Sequence, residues 1–281
     1  MTTGTEDQED GLAGLPDGGE IAYQIRGGSR LGTPVVLLRP LGGSTAIWGL
    51  FRTLLTGAFR VIALDHRGNG RSSAAPVGVT TRGLARDAIH VLDHLGIARA
   101  HVFGLSLGGM AATWLALLAP SRVARLCLAS TPARGIELSH AGVRRELALA
   151  ACFARPLPEV EPALVHRVLS HGFREAHPDQ VRLIESTVRA DPSTRTALIK
   201  HALAGLLHDA RRELGRIHAP TLVLAGRNDH LLGLEAPRAL AAGIPGATFE
   251  VIADAGHDLT LEQPSVTAAR VARFFAEPPV D

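Results

Sequence analysis

A serine between two glycines, in residues 104–108 (Gly-Leu-Ser-Leu-Gly), constrains this chain more than any other feature. An apolar run from Ala100 to Leu105 leads into it, and an alanine- and leucine-rich pattern with helical spacing follows from Met110. Glycines two positions before and after the serine suit a turn so sharp that a Cβ would clash there. We therefore predict a strand, a strained turn with Ser106 at its apex, and a helix. The free N–H groups at the helix N-terminus would favour an oxyanion beside the serine.

Strands and helices alternate on both sides of this turn. Other strands are predicted at residues 20–26, 35–38, 60–64, 123–129, 219–225 and 248–252. Helical patterns occupy residues 47–55, 80–95 and 262–276. Such alternation is typical of βαβ units and predicts an α/β fold, with a parallel sheet covered by helices on both faces.

The alternation stops after Pro132. Residues 134–214 contain helical patterns separated by prolines and no convincing strand. We therefore predict a core of residues 19–133 and 215–281, interrupted by a helical cap or lid of residues 134–214. A lid there would cover the carboxyl ends of the strands, where open α/β sheets bind ligands. Residues 1–10 are polar and acidic, and a Pro-Asp-Gly-Gly turn at 16–19 closes the segment, so we predict that residues 1–18 are a flexible N-terminal segment.

Composition excludes several classes of protein. With 46% hydrophobic and 20% charged residues, the chain can bury a large core. The net charge is +2 and the arginines are widely spread, which argues against a nucleic-acid partner. The chain has no uncharged apolar run of the roughly 18 residues that a membrane span needs, and its acidic N-terminus is unlike a signal peptide. We predict a cytoplasmic protein with a small-molecule substrate and no membrane partner, and leave a homodimer open.

The two cysteines and most of the histidines have simple structural interpretations. Cys127 and Cys152 lie in apolar surroundings, as buried thiols or, alternatively, as a pair. Six histidines of the predicted cap lie among arginines and glutamates, as on the surface of a helix: His140, His166, His171, His177, His201 and His208. None of them is expected to take part in chemistry.

A serine hydroxyl needs a base that takes its proton, and the base needs an acid that orients it. His257 follows the strand at 248–252 directly, in a Gly-His loop that can point into the same cleft as Ser106. Asp229 follows the strand at 219–225, from where its carboxylate can accept Nδ1–H of His257. The order Ser106, Asp229, His257 along the chain is that of the α/β-hydrolases.

Other acids compete with Asp229 for this role. Asp254, Asp258 and Glu250 adjoin His257 in sequence, and a neighbour in the same loop rarely has the reach to orient it. Asp65 also follows a strand, and there it suits a turn cap or a loop brace. Asp229 is therefore the predicted partner of His257.

From about residue 20 onward the chain resembles the α/β-hydrolase fold family. The resemblance rests on residues 104–109 (Gly-Leu-Ser-Leu-Gly-Gly), 65–72 (Asp-His-Arg-Gly-Asn-Gly-Arg-Ser), 219–229 (Ala-Pro-Thr-Leu-Val-Leu-Ala-Gly-Arg-Asn-Asp) and 256–257 (Gly-His). It implies a mostly parallel eight-stranded sheet with helices on both faces and a helical cap insertion. Within the family the chain is similar to the esterase and lactonase group that contains 3-oxoadipate enol-lactonases and aclacinomycin methylesterase.

The chain departs from the family pattern after its first buried strand, where His-Gly is usual and Arg39-Pro40 stands here. The resemblance still implies an oxyanion hole formed by the N–H groups of Leu41 and Leu107. The Arg39–Pro40 bond could be cis, because proline permits it. Pro40 either shapes the turn while Arg39 braces the loop, or Arg39 binds a carboxylate, a phosphate or a developing charge.

Together these residues predict a serine hydrolase that cleaves a carboxylic ester or lactone through an acyl-enzyme. No metal or organic cofactor is implied. On the same three residues, C–C bond hydrolysis, thioester hydrolysis or cofactor-free perhydrolysis are alternatives within enzymes. A ligand-binding protein that kept the fold without turnover is the alternative from another class.

Overall fold

Eight strands form one sheet in the computed structural model, which describes residues 8–28, 32–75, 78–135 and 140–278, with backbone alone at 140–143, 145 and 146. The strands are β1 (Glu9–Gly14), β2 (Glu20–Arg26), β3 (Val35–Leu38), β4 (Val61–Leu64), β5 (Ala100–Leu105), β6 (Val123–Ala129), β7 (Thr221–Gly226) and β8 (Thr248–Ile252). Their spatial order is β1-β2-β4-β3-β5-β6-β7-β8. β2 pairs antiparallel with β1 and β4, and all other pairs are parallel. The predicted mostly parallel, eight-stranded sheet is confirmed.

Helices cover both faces of the sheet. They are α1 (Gly49–Thr56), α2 (Thr81–His94), α3 (Leu107–Leu118), α4 (His140–Phe153), α5 (Leu157–Val168), α6 (His171–Ala176), α7 (Pro178–Ala190), α8 (Arg195–Leu206), α9 (Glu235–Gly243), α10 (Leu259–Glu262) and α11 (Pro264–Ala276). On β3, Val36 and Leu38 pack with residues of α2 and α3, whereas Val35 and Leu37 pack with residues of α1 and α11. Burial on both faces explains why this strand is apolar at every position.

The first strand corrects the prediction that residues 1–18 are flexible. Residues 9–14 pair with β2, and Leu15 and Gly19 close the turn between the two strands with a backbone hydrogen bond of 2.8 Å. β1 lies at the edge of the sheet, and Ala13 is its only buried residue. An edge strand with so little burial lacks the apolar alternation by which strands are recognised in a sequence. Residues 1–7 lie outside the described ranges.

The segment between β6 and β7 is helical. In its described part, residues 134–214 form α4 to α8 and an isolated bridge between Arg134 and Asp209, with no strand. We call residues 140–206 the cap. Pro158 and Pro178 lie in the first turns of α5 and α7, where their missing N–H breaks no helical hydrogen bond, whereas Pro162 lies inside α5. An apolar cluster that includes Val165 and Val188 packs against Ile47, so the cap has its own small core resting on the rest of the molecule.

Two further expectations concern the helices and the cysteines. None of the described helices is both long and apolar enough to cross a bilayer. Cys127 on β6 and Cys152 on α4 are buried and free, so the alternative in which they form a pair is wrong.

Candidate active site

Ser106 lies at the apex of the turn between β5 and α3, with φ 54° and ψ −115°. This left-handed backbone conformation is strained for any residue other than glycine. The turn is tight: a Cβ on Gly104 would lie 2.4 Å from the carbonyl oxygen of Gly108, and a Cβ on Gly108 would lie 2.0 Å from that of Leu38. The backbone N–H of Ser106 donates to Ala129 at 2.9 Å. The two glycines therefore permit the approach to neighbouring backbone that holds the serine at the apex.

His257 and Asp229 reach the serine from the ends of β8 and β7. Nε2 of His257 lies 2.9 Å from Oγ of Ser106, and Nδ1 lies 2.8 Å from Oδ2 of Asp229. His257 and Asp229 are both buried, and Ser106 is partly exposed. The structure thus brings the three predicted residues into one hydrogen-bonded row.

Backbone donors hold the carboxylate of Asp229. Its Oδ1 accepts hydrogen bonds from the N–H groups of Leu231 at 2.8 Å and Leu232 at 3.0 Å, which leaves Oδ2 to His257. Burial opposes ionisation of Asp229, but the imidazole and the two N–H groups outweigh it and lower the pKa of the carboxyl. The group that faces Nδ1 is therefore an anion, which favours a proton on Nδ1 and leaves Nε2 as the acceptor for the serine hydroxyl.

The competing acids have other partners. Asp258 caps α10, with its Oδ1 accepting from the hydroxyl of Thr260 at 2.6 Å and from two backbone N–H groups. Glu250 forms ion pairs with Arg270 and Arg273, and the side chain of Asp254 is exposed. Asp65, on the other hand, accepts from the N–H of Thr45 at 2.7 Å, as expected of a loop brace.

Leu41 and Leu107 both line the cavity that Ser106 and His257 border. Leu107 is the first residue of α3, so its N–H lies at the open end of the helix. In the described part of the chain, neither the N–H of Leu41 nor that of Leu107 has a hydrogen-bond partner. Both donors are thus available beside the serine.

Pro40 and Arg39 lie differently with respect to the cavity. The described peptide bonds are all trans, Arg39–Pro40 included, so the cis alternative is wrong. Pro40 lines the cavity, but Arg39 is not among the lining residues. The Arg39 side chain is fully buried, and none of its nitrogens has a hydrogen-bond partner among the described residues. Burial lowers the pKa of Arg39 to about 10, although the nearby carboxylates of Asp65, Glu161 and Asp191 act to raise it.

The cavity has a volume of about 160 Å³ and lies between the core and the cap. Its wall is mainly aliphatic and includes Leu41, Leu107, Met110, Leu149, Leu164, Val165, Val168, Val188, Leu206, Leu231, Leu232 and Leu261. The polar side chains in the wall besides Ser106 and His257 are few among the described residues: Glu161, Arg167, His201 and Asp258. No described cluster of three or more His, Cys, Asp or Glu residues is arranged to hold a metal ion.

Sequence reasoning missed two features of this region. His201 and His208 are buried, not on the surface of the cap as predicted. His201 lies on α8, which packs against α3 of the core, and His208 follows that helix with its Nδ1 2.9 Å from the hydroxyl of Thr81 on α2. Glu161 is also buried and accepts a hydrogen bond from the backbone N–H of Gly43. An acidic residue in a helix that carries other charges resembles any solvated one, so nothing in the sequence marked Glu161.

Comparisons with known proteins agree with this architecture. The family model described as the alpha/beta hydrolase fold matches residues 33–264. The 3-oxoadipate enol-lactonase 2 of Acinetobacter baylyi is 30% identical over 231 residues, 82% of this chain and 84% of that protein. A Variovorax paradoxus protein with the provisional name carbamate hydrolase RutD is 33% identical over 260 residues, 90% of this chain and 95% of that protein.

Solved structures are also similar over almost the whole chain. The enol-lactonase from Burkholderia xenovorans LB400 has a TM-score of 0.84 at 28% identity, covering 95% of this chain and all of that one. A hydrolase from Pseudomonas aeruginosa has a TM-score of 0.83 at 30% identity, covering 98% of this chain and all of that one. The family match, these relatives and the shared architecture lead to one conclusion: the chain belongs to the α/β-hydrolase fold family and is similar to its esterases and lactonases.

Proposed function

We propose that this protein is a serine hydrolase that cleaves a carboxylic ester or lactone of a small molecule. Ser106 is the nucleophile, His257 the general base and Asp229 the acid that orients it. The observation that carries the proposal is the row of two hydrogen bonds, 2.9 Å from Ser106 to His257 and 2.8 Å from His257 to Asp229. A row of this kind under a cavity is the arrangement that activates a serine for acyl transfer.

In the first half-reaction, Oγ of Ser106 attacks the carbonyl carbon while Nε2 of His257 takes the hydroxyl proton. The carbonyl π electrons move to its oxygen, which the N–H groups of Leu41 and Leu107 stabilise at about 3 kcal/mol per donor. When the tetrahedral intermediate collapses, the alkoxide leaves and takes the proton from Nε2. Asp229 keeps Nδ1 protonated and stabilises the imidazolium that forms in between.

In the second half-reaction, water attacks the acyl-enzyme. Nε2 of His257 takes a proton from the water, the second tetrahedral intermediate collapses, and Oγ of Ser106 recovers the proton. The products are a carboxylic acid and the alcohol of the ester, or a single hydroxy acid if the substrate is a lactone. With an enol lactone, the ring-opened enol becomes a keto acid.

Carbamate hydrolysis is the second candidate, because several relatives carry the provisional name carbamate hydrolase RutD. A carbamate carbonyl is less electrophilic than that of an ester, so its cleavage depends more strongly on the oxyanion donors. The aliphatic wall of the cavity favours a substrate whose acyl part is apolar over a small polar carbamate. We therefore place the ester or lactone first.

The test is the hydrolysis of p-nitrophenyl esters from acetyl to octanoyl, a set of enol and saturated lactones, and an aryl carbamate. Wild type is measured beside Ser106→Ala, and both are treated with a fluorophosphonate probe. We expect the esters or lactones to be turned over fastest, by wild type alone, with the probe attached to Ser106. Faster turnover of the carbamate would favour the second candidate.

Two further outcomes separate the remaining alternatives. If Ser106 reacts with the probe but no ester, lactone or carbamate is cleaved, the serine is competent and thioesters, vinylogous C–C substrates and perhydrolysis come next. If Ser106 neither reacts nor supports turnover, the hydrolase proposal is wrong and ligand binding without chemistry takes its place.

A further inference from the structure

The loop that carries one proposed oxyanion donor has little rigidity of its own. Residues 39–44 connect β3 to the 3-10 turn at Thr45–Trp48, and Leu41 lies in their middle. The two residues after Leu41 are glycines in left-handed conformations, with φ 83° at Gly42 and φ 69° at Gly43. Consecutive glycines lose more conformational entropy on ordering than other residues do, so contacts from outside the loop have to hold it.

A carboxylate from the cap makes such a contact. The N–H of Gly43 donates a short hydrogen bond to Oε1 of Glu161, which lies on α5. The same carboxylate accepts from Ser193, from its hydroxyl at 2.8 Å and from its backbone N–H at 3.1 Å. Ser193 lies in the cap between α7 and α8. Two separate parts of the cap therefore meet at the residue two positions after Leu41.

The core holds the other side of the same residue. Asn69, in the loop after β4, donates from Nδ2 to the carbonyl oxygen of Gly43 at 3.1 Å and also to the hydroxyl of Ser193. Glu161, Ser193 and Asn69 are all buried. Gly43 is thus tied at its N–H by the cap and at its C=O by the core, in surroundings from which water is largely excluded.

A buried cation, Arg39, lies near this carboxylate and balances its charge. The fully buried Arg39 is attracted by Glu161, Asp65 and Asp191. Nη2 of Arg39 lies 3.2 Å from the position of a Cβ on Gly43, so the cation and the carboxylate flank the same glycine. A buried carboxylate with three hydrogen-bond donors and a nearby cation is a stable anchor for a flexible loop.

We propose that Glu161 is a positioning residue that holds the N–H of Leu41 in the oxyanion hole, so that the cap completes the catalytic geometry. This inference rests on the proposed hydrolase function. Preorganised donors contribute to catalysis only when they are fixed where the oxyanion develops. Loosening Gly43 therefore reduces the stabilisation of the transition state by the enzyme and leaves ground-state binding of the substrate largely unchanged.

The main test is Glu161→Gln, with Glu159→Gln as the matched control. Glu159 is on the same helix, but its half-exposed carboxylate pairs with Arg189 at 3.5 Å, away from the loop. Glutamine retains the shape of glutamate but lacks its charge and has one acceptor oxygen. In the wild type Oε1 accepts from Gly43 and from the Ser193 hydroxyl, and Oε2 accepts from the Ser193 N–H. We expect kcat on the best ester to fall between tenfold and a hundredfold in Glu161→Gln, with KM within threefold of wild type. Glu159→Gln should keep both constants.

An inhibitor pair separates positioning from general damage. An aryl trifluoromethyl ketone forms a hemiketal oxyanion on Ser106, whereas the carboxylic acid product forms none. Glu161→Gln should bind the ketone at least tenfold more weakly than wild type does. Its affinity for the product acid should equal that of wild type. Ser193→Ala is the second variant if Glu161→Gln does not fold, with a smaller effect in the same direction.

The outcomes are distinct. A tenfold increase in KM with unchanged kcat would overturn the inference, because Glu161 would then contact the substrate directly from the cavity wall. Unchanged kinetics and ketone affinity in Glu161→Gln, with Ser106→Ala inactive, would also overturn it while the hydrolase function stands. An active Ser106→Ala would instead refute the hydrolase function itself.

Discussion

Asp229 uses its two carboxylate oxygens for different tasks: Oδ1 accepts from two backbone N–H groups, and Oδ2 accepts from Nδ1 of His257 at 2.8 Å. The backbone thereby fixes the carboxylate, and the carboxylate fixes the imidazole. The orientation of His257 toward Ser106 is therefore built into the loop that follows β7.

Asp229→Asn tests this relationship. The amide lacks the charge and can present N–H to Nδ1, which favours the imidazole tautomer that has its proton on Nε2 and cannot accept from Ser106. We expect kcat to fall by about 10⁴ with KM nearly unchanged, measured on the best ester. Asp254→Asn is the control, since this exposed residue lies in the same loop as His257 and should keep full activity. A loss below tenfold in Asp229→Asn would contradict the role of Asp229.

Gly108→Ala should prevent stable folding of the serine turn. The new Cβ would lie 2.0 Å from the carbonyl oxygen of Leu38 and 2.6 Å from that of Arg39, and backbone atoms cannot rotate away as a flexible side chain can. We expect a loss of about 3 kcal/mol or more in the free energy of unfolding, or insoluble protein. The control is Gly172→Ala on α6, where a Cβ would meet nothing within 4 Å. A Gly108→Ala protein of wild-type stability would mean that the turn is less tight than described.

Four buried histidines make the stability of the fold sensitive to acid. Burial lowers the pKa of His101, His201 and His208 to about 4 and that of His66 well below its usual value. In the unfolded chain these groups titrate near 6.5, so between the two values the unfolded state binds more protons and stability falls as the pH falls. Each of His101, His201 and His208 then lowers the free energy of unfolding by about 2 kcal/mol between pH 7 and pH 5. Urea unfolding at both pH values measures the net loss.

His101→Phe isolates one of these groups. The imidazole stacks on Phe275 with ring centroids 4.7 Å apart, so phenylalanine preserves the packing without the titration. The loss of stability from pH 7 to pH 5 should be about 2 kcal/mol smaller than in wild type. His171→Gln, at an exposed position, should leave the pH dependence as it is. An equal pH dependence in His101→Phe and wild type would refute the contribution of His101.

Arg39→Met tests whether the buried arginine serves the fold or the substrate. The side chain is not part of the cavity wall, and the nearby acids Asp65, Glu161 and Asp191 would lose their compensating cation. We expect the free energy of unfolding to fall by about 3 kcal/mol, with KM on the best ester unchanged. Arg39→Lys, which keeps the charge, should recover part of the stability. A tenfold increase in KM at wild-type stability would instead mean that Arg39 binds the substrate.

Much of the candidate site was predictable because its signals are local. Ser106 lies in a glycine-flanked turn, and Asp229 and His257 each follow an apolar strand. Each residue can therefore be identified from its local sequence. Parallel strands end at the same edge of a sheet, which is why residues far apart in the chain were expected to meet. The observed order of strands places β5, β6, β7 and β8 side by side.

The features that were missed depend on contacts with other elements. β1 is a strand because it pairs with β2, not because its own side chains are apolar. His201 is buried because α8 lies on the core, and a helix in isolation does not reveal which of its faces will be covered. His208 lies two residues beyond that helix and is buried beside α2, where its Nδ1 is 2.9 Å from the hydroxyl of Thr81.

By itself, the sequence determined the α/β architecture, the strained serine turn and the loops from which an acid and a base can reach the serine. These follow from apolar periodicity and from glycines at fixed spacing, both of which act over a few residues. Only the tertiary structure decided that Arg39 lies behind its loop and that Glu161 of the cap binds Gly43 of the core, 118 residues apart in the chain. The physical reason is that burial and hydrogen bonding between distant segments depend on how elements pack, which no local pattern encodes.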